Sequence, residues 1–153
     1  MNEDSIAIQK SKNALLNVFV GRWHTLGEVV GTGTKIDATD VYEWLAGEYS
    51  LVHYADSTVG SDKIHATEII GYDPARGLYF GPFFDDHGSV GFEEITENGN
   101  VWSWHGKGVM GVNFHRCTAT VSDDGQTIEA VHEQSEDDRT WRPWMNVTLT
   151  KIT

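Results

Sequence analysis

The sequence predicts an all-β protein, an antiparallel up-and-down barrel of about ten strands with a short N-terminal capping helix. Three observations predict it. Apolar and polar residues alternate with period two from residue 22 almost to the end of the chain. Turn signals interrupt that alternation at spacings of roughly ten residues. No second helix-length segment intervenes, so no crossover is present to build a parallel sheet. A row of sequentially paired strands leaves two exposed edges, and closing the sheet removes both. An eight-stranded barrel is nearly filled by its own side chains, whereas a larger one leaves room inside.

The elements follow in order. Leu15, Val18 and Phe19 fall on one side of a short helix, with Ser11 as its N-cap and Gly21 as its stop. Residues 1–10 read as a flexible tail before it. Strands are predicted at 22–31, 35–46, 48–56, 62–72, 77–85, 88–97, 100–106, 111–121, 126–135 and 140–152. Asp73-Pro74-Ala75-Arg76-Gly77 sets a proline in a turn and closes it with glycine. Asp85-Asp86-His87-Gly88, Ser122-Asp123-Asp124-Gly125 and Glu136-Asp137-Asp138 mark further turns, and Asn98-Gly99 is a strong hairpin signal. No repeat, low-complexity stretch or linker divides the chain, so residues 1–153 form one domain.

Composition narrows the function. Eleven Lys and Arg against 23 Asp and Glu give a formal net charge of −12. Such a surface repels phosphate backbones and anionic lipid, which argues against nucleic-acid and membrane partners. Cys117 is the one cysteine, so no intrachain disulfide forms. The N-terminal stretch lacks a signal-peptide core, and no run approaches the ~20 apolar residues that span a bilayer, so a cytoplasmic location is the expectation.

Gly21-Arg22-Trp23 stands where the helix meets the first strand. Glycine lets the backbone turn there, and Trp23 is placed to plug one end of the barrel, with Leu15 and Phe19 beneath it. A cation from the last strand, Lys151 or alternatively Arg142, is positioned to lie across the indole face.

This opening resembles that of the calycins: lipocalins, fatty-acid-binding proteins and their bacterial relatives. Three further stretches, "GYDPARGLYFGPFFDDHG" at 71–88, "DDRTWRPWM" at 137–145 and the closing "VTLTKIT", are similar to a bacterial domain-of-unknown-function family of calycin-like barrels. In that family a G-(Y/W)-D-P-x-x-G turn leads into an aromatic strand, and a T-W-x-P-(F/W)-M segment opens the last strand. The resemblance spans about residues 14 to 153 and implies the barrel, with no common activity or catalytic set. Its members often end the last strand in arginine where this chain has Lys151.

The aromatic supply exceeds what a simple core needs. Its possible roles are core filling, ligand lining and an oligomer contact. Alternation within each strand nominates Tyr42, Trp44, Phe80, Phe84, Phe92, Phe114 and Met145 as cavity lining. Trp104 is nominated to guard the mouth beside the glycine-rich "HGKGVMG" turn. Strand 77–85 is apolar on both faces, so its inward face stays open. His53, Glu68 and Glu94 share faces with apolar residues. If those faces point inward, an acid and a base stand in a low-dielectric cavity, where burial shifts carboxyl pKa values upward; otherwise the carboxylates face water.

His115 and Cys117 share one strand face and His87 follows two aspartates, but no second ligand pair accompanies them, so no metal is expected. No residue marks a haem, and the glycine-rich turn lacks the following helix that would hold a phosphate. No cofactor is expected. The leading functional expectation is binding of a small hydrophobic or aromatic molecule inside the barrel. The alternative is a metal-independent cyclase, isomerase or decarboxylase using His53, Glu68 and Glu94. A third is an interaction protein without ligand, with a homodimer as its expected state.

Overall fold

Turn chemistry sets the strand lengths. The computed structural model describes residues 1–153. It contains one helix, α1 (Glu3–Ala14), continued by a 3-10 turn at Leu15–Val18. Ten strands follow: β1 (Gly21–Val29), β2 (Lys35–Trp44), β3 (Leu51–Val59), β4 (Asp62–Asp73), β5 (Leu78–Asp85), β6 (Val90–Asn98), β7 (Val101–Lys107), β8 (Phe114–Val121), β9 (Thr127–Ser135) and β10 (Arg142–Lys151). A second 3-10 turn, Val109–Gly111, lies between β7 and β8. The Asn98-Gly99 hairpin joins β6 to β7 with Gly99 at φ 63°, the left-handed conformation this turn requires.

Every strand pairs antiparallel with its sequence neighbour, and β1 pairs β10 to close the barrel. The seam runs from Trp23 opposite Lys151 to Val29 opposite Met145. No helix is long and apolar enough to cross a membrane.

The helix begins at Glu3, well before Ser11. Asn2 is its N-cap, its side chain accepting from the Ser5 backbone N–H. Residues 3–10, read from sequence as tail, are therefore helical. The face is also rotated: Leu15 and Val18 are exposed, while Leu16 and Phe19 are buried. The cause is the switch to 3-10 geometry at Leu15, whose tighter winding breaks the 3.6-residue spacing.

Polar contacts dock this segment on the barrel. The buried Asn13 donates from Nδ2 to the Tyr49 carbonyl and accepts at Oδ1 from the Tyr72 N–H, both at 3.1 Å. Tyr79 donates its hydroxyl to the Lys12 carbonyl at 2.6 Å. These contacts satisfy backbone groups that burial at a barrel end would otherwise orphan.

The plug itself is aromatic. Trp23 is fully buried and donates its indole N–H to the Phe19 carbonyl at 2.7 Å. The Phe19 ring packs edge-on against Trp102 at 5.0 Å and stacks with Tyr42 at 5.5 Å. Lys151 Nζ lies 5.6 Å from the centre of the Trp23 ring. Gly21 has φ 133°, and a Cβ there would overlap the Thr153 carbonyl oxygen and meet Lys151 Cε at 3.0 Å. Glycine is thus required both by the backbone turn and by the close approach of the C-terminus.

Trp23→Ala should destabilise the fold by about 3–5 kcal/mol, the usual cost of truncating a buried large aromatic. Urea unfolding followed by circular dichroism measures it. A loss within experimental error of zero would remove the plug from the list of structural supports.

Candidate functional site

Beyond the plug the barrel is hollow. Its interior holds a cavity of about 500 Å³. Most of the wall is apolar, with Ile36, Ala38, Ile128, Ala130 and Leu149 among its residues. A belt of polar side chains crosses this wall, and strand register explains how it forms.

On β2 the inward series is Ile36, Ala38, Asp40 and Tyr42. Tyr42 is directly opposite His53 on β3, and His53 is directly opposite Glu68 on β4. The His53 ring stacks on Tyr42 at 4.0 Å and 5°. Its Nε2 meets Asp40 Oδ1 at 2.6 Å, and Thr25 donates its hydroxyl to the other Asp40 oxygen. His53 Nδ1 has no partner in the protein. Burial alone would raise the Asp40 pKa, but the hydrogen bonds from His53 and Thr25 outweigh it and hold the carboxyl below its usual range.

Across the barrel, glycines make the belt continuous. Glu68 reaches over Gly81 of β5, where a Cβ would stand 3.2 Å from the Glu68 carboxyl carbon. Gly81 is directly opposite Glu93 on β6. Glu93 in turn is opposite Gly106 of β7, and Gly106 is opposite His115 of β8. A Cβ at Gly106 would overlap the Phe92 carbonyl oxygen and meet Glu93 Cγ at 2.7 Å. Missing side chains on β5 and β7 thus let the two glutamates lean across the wall, to each other and to His115. The Glu68 and Glu93 carboxyls are near enough that each shifts the other's protonation, and the Trp104 indole favours the charged form of Glu68.

From Glu93 a chain of contacts continues. Glu93 Oε1 is bonded to His115 Nδ1. His115 Nε2 is 2.9 Å from His132 Nδ1, and His132 Nε2 is 3.7 Å from Cys117 Sγ. Burial, with the neighbouring carboxyl, raises Glu68 well above the usual carboxyl range, and burial raises Glu93 to about 7. Two carboxyls this close retain a proton between them. Burial lowers His115 to about 4 and His132 to about 3, so both imidazoles are neutral at pH 7. Burial and the two glutamates keep Cys117 a thiol. The chain is then consistent in direction. Cys117 S–H points to His132 Nε2, His132 Nδ1–H to His115 Nε2, and His115 Nδ1–H to Glu93. These histidines and Cys117 bond to one another, and no three His, Cys, Asp or Glu side chains converge as a metal site requires.

The residues nominated from sequence divide sharply. His53, Glu68, Tyr42, Trp104 and Met145 line the cavity. Trp104 stands 5.8 Å from Phe19, towards the plug and not at the mouth. Trp44 lies at the end of β2, outside the cavity, donating its indole N–H to Asn17 Oδ1 at 2.9 Å. Phe80, Phe84, Phe92 and Phe114 point outward. Inward from β5 come Tyr79, Gly81 and Phe83, and Phe84 is 55% exposed. Phe80 and Phe92 pair outside at 5.6 Å, with Arg76 over Phe80 and Lys107 over Phe92. Phe114 alternates with the inward His115 and Cys117. Glu94 is also outside, 3.5 Å from Arg76, and Glu93 takes the interior position one residue earlier.

Sequence reasoning missed Asp40, Glu93, His115 and His132. Three of them were findable. Asp40 shares alternation with Ile36 and Ala38, His115 with Ala119 and Val121, and His132 with Ile128 and Ala130. Glu93 was not, because Glu93-Glu94 puts a carboxylate on each face.

Fold and cavity together define a class: closed ten-stranded antiparallel barrels with an accessible interior. Among solved structures the chain is similar to the one titled "Crystal Structure of Rv2717c from M. tuberculosis", with a TM-score of 0.69 and 12% identity. The match covers 92% of this chain and 96% of that one, and at this identity the likeness is one of fold alone. No protein-family model matches the chain, and neither does any curated protein.

The belt makes stability depend on pH in two directions. Folding keeps protons on Glu68 and Glu93 that a solvated glutamate loses near about pH 4.3, so stability falls as pH rises through about 7. His115 and His132 take up protons below about pH 6.5 when unfolded but resist them when folded, so stability falls as pH drops towards about 4 and 3. Between roughly pH 4.5 and 6.5 the two effects oppose each other. Urea midpoints measured from pH 4 to 9 should peak in that window, and the Glu68→Gln/Glu93→Gln variant should lose the alkaline decline. An unchanged alkaline decline in the variant would exclude the carboxyl pair as its source.

Proposed function

We propose that the barrel binds a small, largely apolar molecule in its cavity, with one polar group of the ligand meeting the belt. The observation that carries this reading is the cavity itself. Its volume of about 500 Å³ lies within the range of small-molecule sites, and its wall is apolar apart from a few convergent polar groups. A barrel needing only stability would fill this space with side chains. The helix, Gly21 and the Trp23 plug support a place among calycin-like barrels, whose architecture suits enclosure of a ligand.

One observation favours a second reading, a metal-independent acid–base enzyme. Asp40 fixes the ring of His53, whose free Nδ1 stands on the same inner face as the protonated Glu68 directly opposite. A base and an acid so placed could take a proton from one atom of a bound substrate and return one to another, as an isomerase does.

Trp104 and Trp144 both line the cavity, so entry of a ligand should change tryptophan emission. Titration with a panel of apolar and aromatic molecules should give saturable quenching that Trp104→Phe weakens. Absence of any response across the panel would refute the binding reading. Chemical conversion of a bound compound, abolished by His53→Ala or Asp40→Asn in folded protein, would establish the enzyme in its place.

A further inference from the structure

We propose that the molecule this cavity selects is a lipophilic amine, bound as its ammonium ion with the positive charge against Glu68 and Glu93 and the apolar body along the wall. The inference rests on the binding function proposed above and names its ligand class.

Charge inventory is the first argument. Four acidic residues line the cavity, Asp40, Glu68, Asp85 and Glu93, and no lysine or arginine does. An enclosed carboxylate ligand would meet no permanent cation and would be repelled at short range by groups that water screens poorly. The outer surface has the same sign, with a net charge of −12 over the chain. A cation is therefore favoured on approach as well as inside.

The second argument is the state of Glu68. It is only 5% exposed, yet no backbone N–H, lysine or arginine meets its carboxyl. Its company is another carboxyl, an indole edge and, directly opposite, the His53 ring that Asp40 already holds. A buried carboxyl is normally paired with a cation or fully hydrogen-bonded, whereas this one shares a proton with a second carboxyl and has no permanent cation beside it. Glycines at 81 and 106 keep the space around the pair clear of Cβ atoms that would force the carboxyls apart. An ammonium group brings three donors and one positive charge, which is what the pair lacks.

The surrounding elements supply no lysine or arginine to compete for the pair. β1 offers Thr25, β5 offers Gly81 and Phe83, and β10 offers Met145, none of which titrates. Asp40 and Tyr42 come from β2 and His53 from β3, where His53 is already engaged by Asp40. His115, Cys117 and His132, from β8 and β9, are neutral at pH 7. Asp85 and His87 stand on the β5–β6 side of the cavity, where the Lys63 carbonyl bonded to His87 makes its imidazole charge more readily but Asp85 and Asp86 lie beside it. With Glu93 poised at about 7, ammonium binding should expel a proton from the pair. Affinity for the amine should then rise from pH 6 to 8 while the amine itself stays protonated.

Two trios of probes with matched bodies test this: octylamine, octanol and octanoate, and 2-(1-naphthyl)ethylamine, 2-(1-naphthyl)ethanol and 1-naphthylacetate. Calorimetry on the full chain at pH 7.5 should rank each ammonium at least about tenfold tighter than its alcohol, with the carboxylate weakest. Buffers of different ionisation heat should show proton release for the amines and none for the alcohols. Glu68→Gln/Glu93→Gln should abolish the preference for amine over alcohol, and Glu93→Gln alone serves if the double variant does not fold. Alcohols binding as tightly as amines, or carboxylates binding best, would overturn the cation inference and leave the binding function standing. Failure of all six probes to bind would overturn both.

Discussion

Closure of β1 onto β10 is the constraint on which everything else depends. The seam from Trp23 opposite Lys151 to Val29 opposite Met145 removes both edges of the sheet. It also decides that each strand has an inside and an outside. Ten strands closed in this way enclose more space than their side chains occupy. The first turn of the chain then fills only one end. Trp23, Phe19 and Trp102 form a packed floor, and Asn13 ties the preceding helix to the Tyr49 and Tyr72 backbones. The cavity above that floor is a consequence of strand number together with a one-ended plug.

What occupies the wall of that cavity is not what stability alone would select. Buried carboxyls and imidazoles cost several kcal/mol each unless they are paired or neutralised. Here they are neutralised. Glu68 and Glu93 keep a proton between them, and His115 and His132 stay uncharged and donate in one direction along a chain that runs from Cys117 to Glu93. Asp40 remains ionised because His53 and Thr25 bond to it. Apolar residues of similar volume would give a simpler and at least equally stable interior. Sites that break such rules are where function concentrates. The belt, more than the fold, therefore separates this barrel from a merely hollow one.

Glycine placement makes the belt possible. On β5 and β7 the inward positions beside the glutamates carry no side chain, so a carboxyl anchored on one strand can reach the next but one. A β-sheet normally limits side-chain contact to adjacent and diagonal neighbours. Removing the intervening Cβ extends that reach, and on β5 the outward aromatics Phe80 and Phe84 supply the β propensity that Gly81 withholds.

The sequence alone determined the strand count, the meander order, the hairpin positions and the Gly21–Trp23 plug. These are local properties: period-two alternation, Asn-Gly and Asp-rich turns, and one glycine before one tryptophan. It also placed His53 and Glu68 on one side of their strands. Where both faces of a strand carry the same chemistry it decided nothing. β5 is aromatic on both faces and β6 presents glutamates on both, so alternation left the inward face open there, and the nominated Phe80, Phe84 and Phe92 and the candidate Glu94 lie outside. Only closure of the barrel settled which face is interior, because inwardness is set by the neighbouring strands and not by the residue itself. The joining of Glu68 to Glu93 and of Glu93 to His115 needed more still. Those partners are distant in sequence and meet across Gly81 and Gly106, and an absent side chain acquires meaning only when the strands on either side of it are in register.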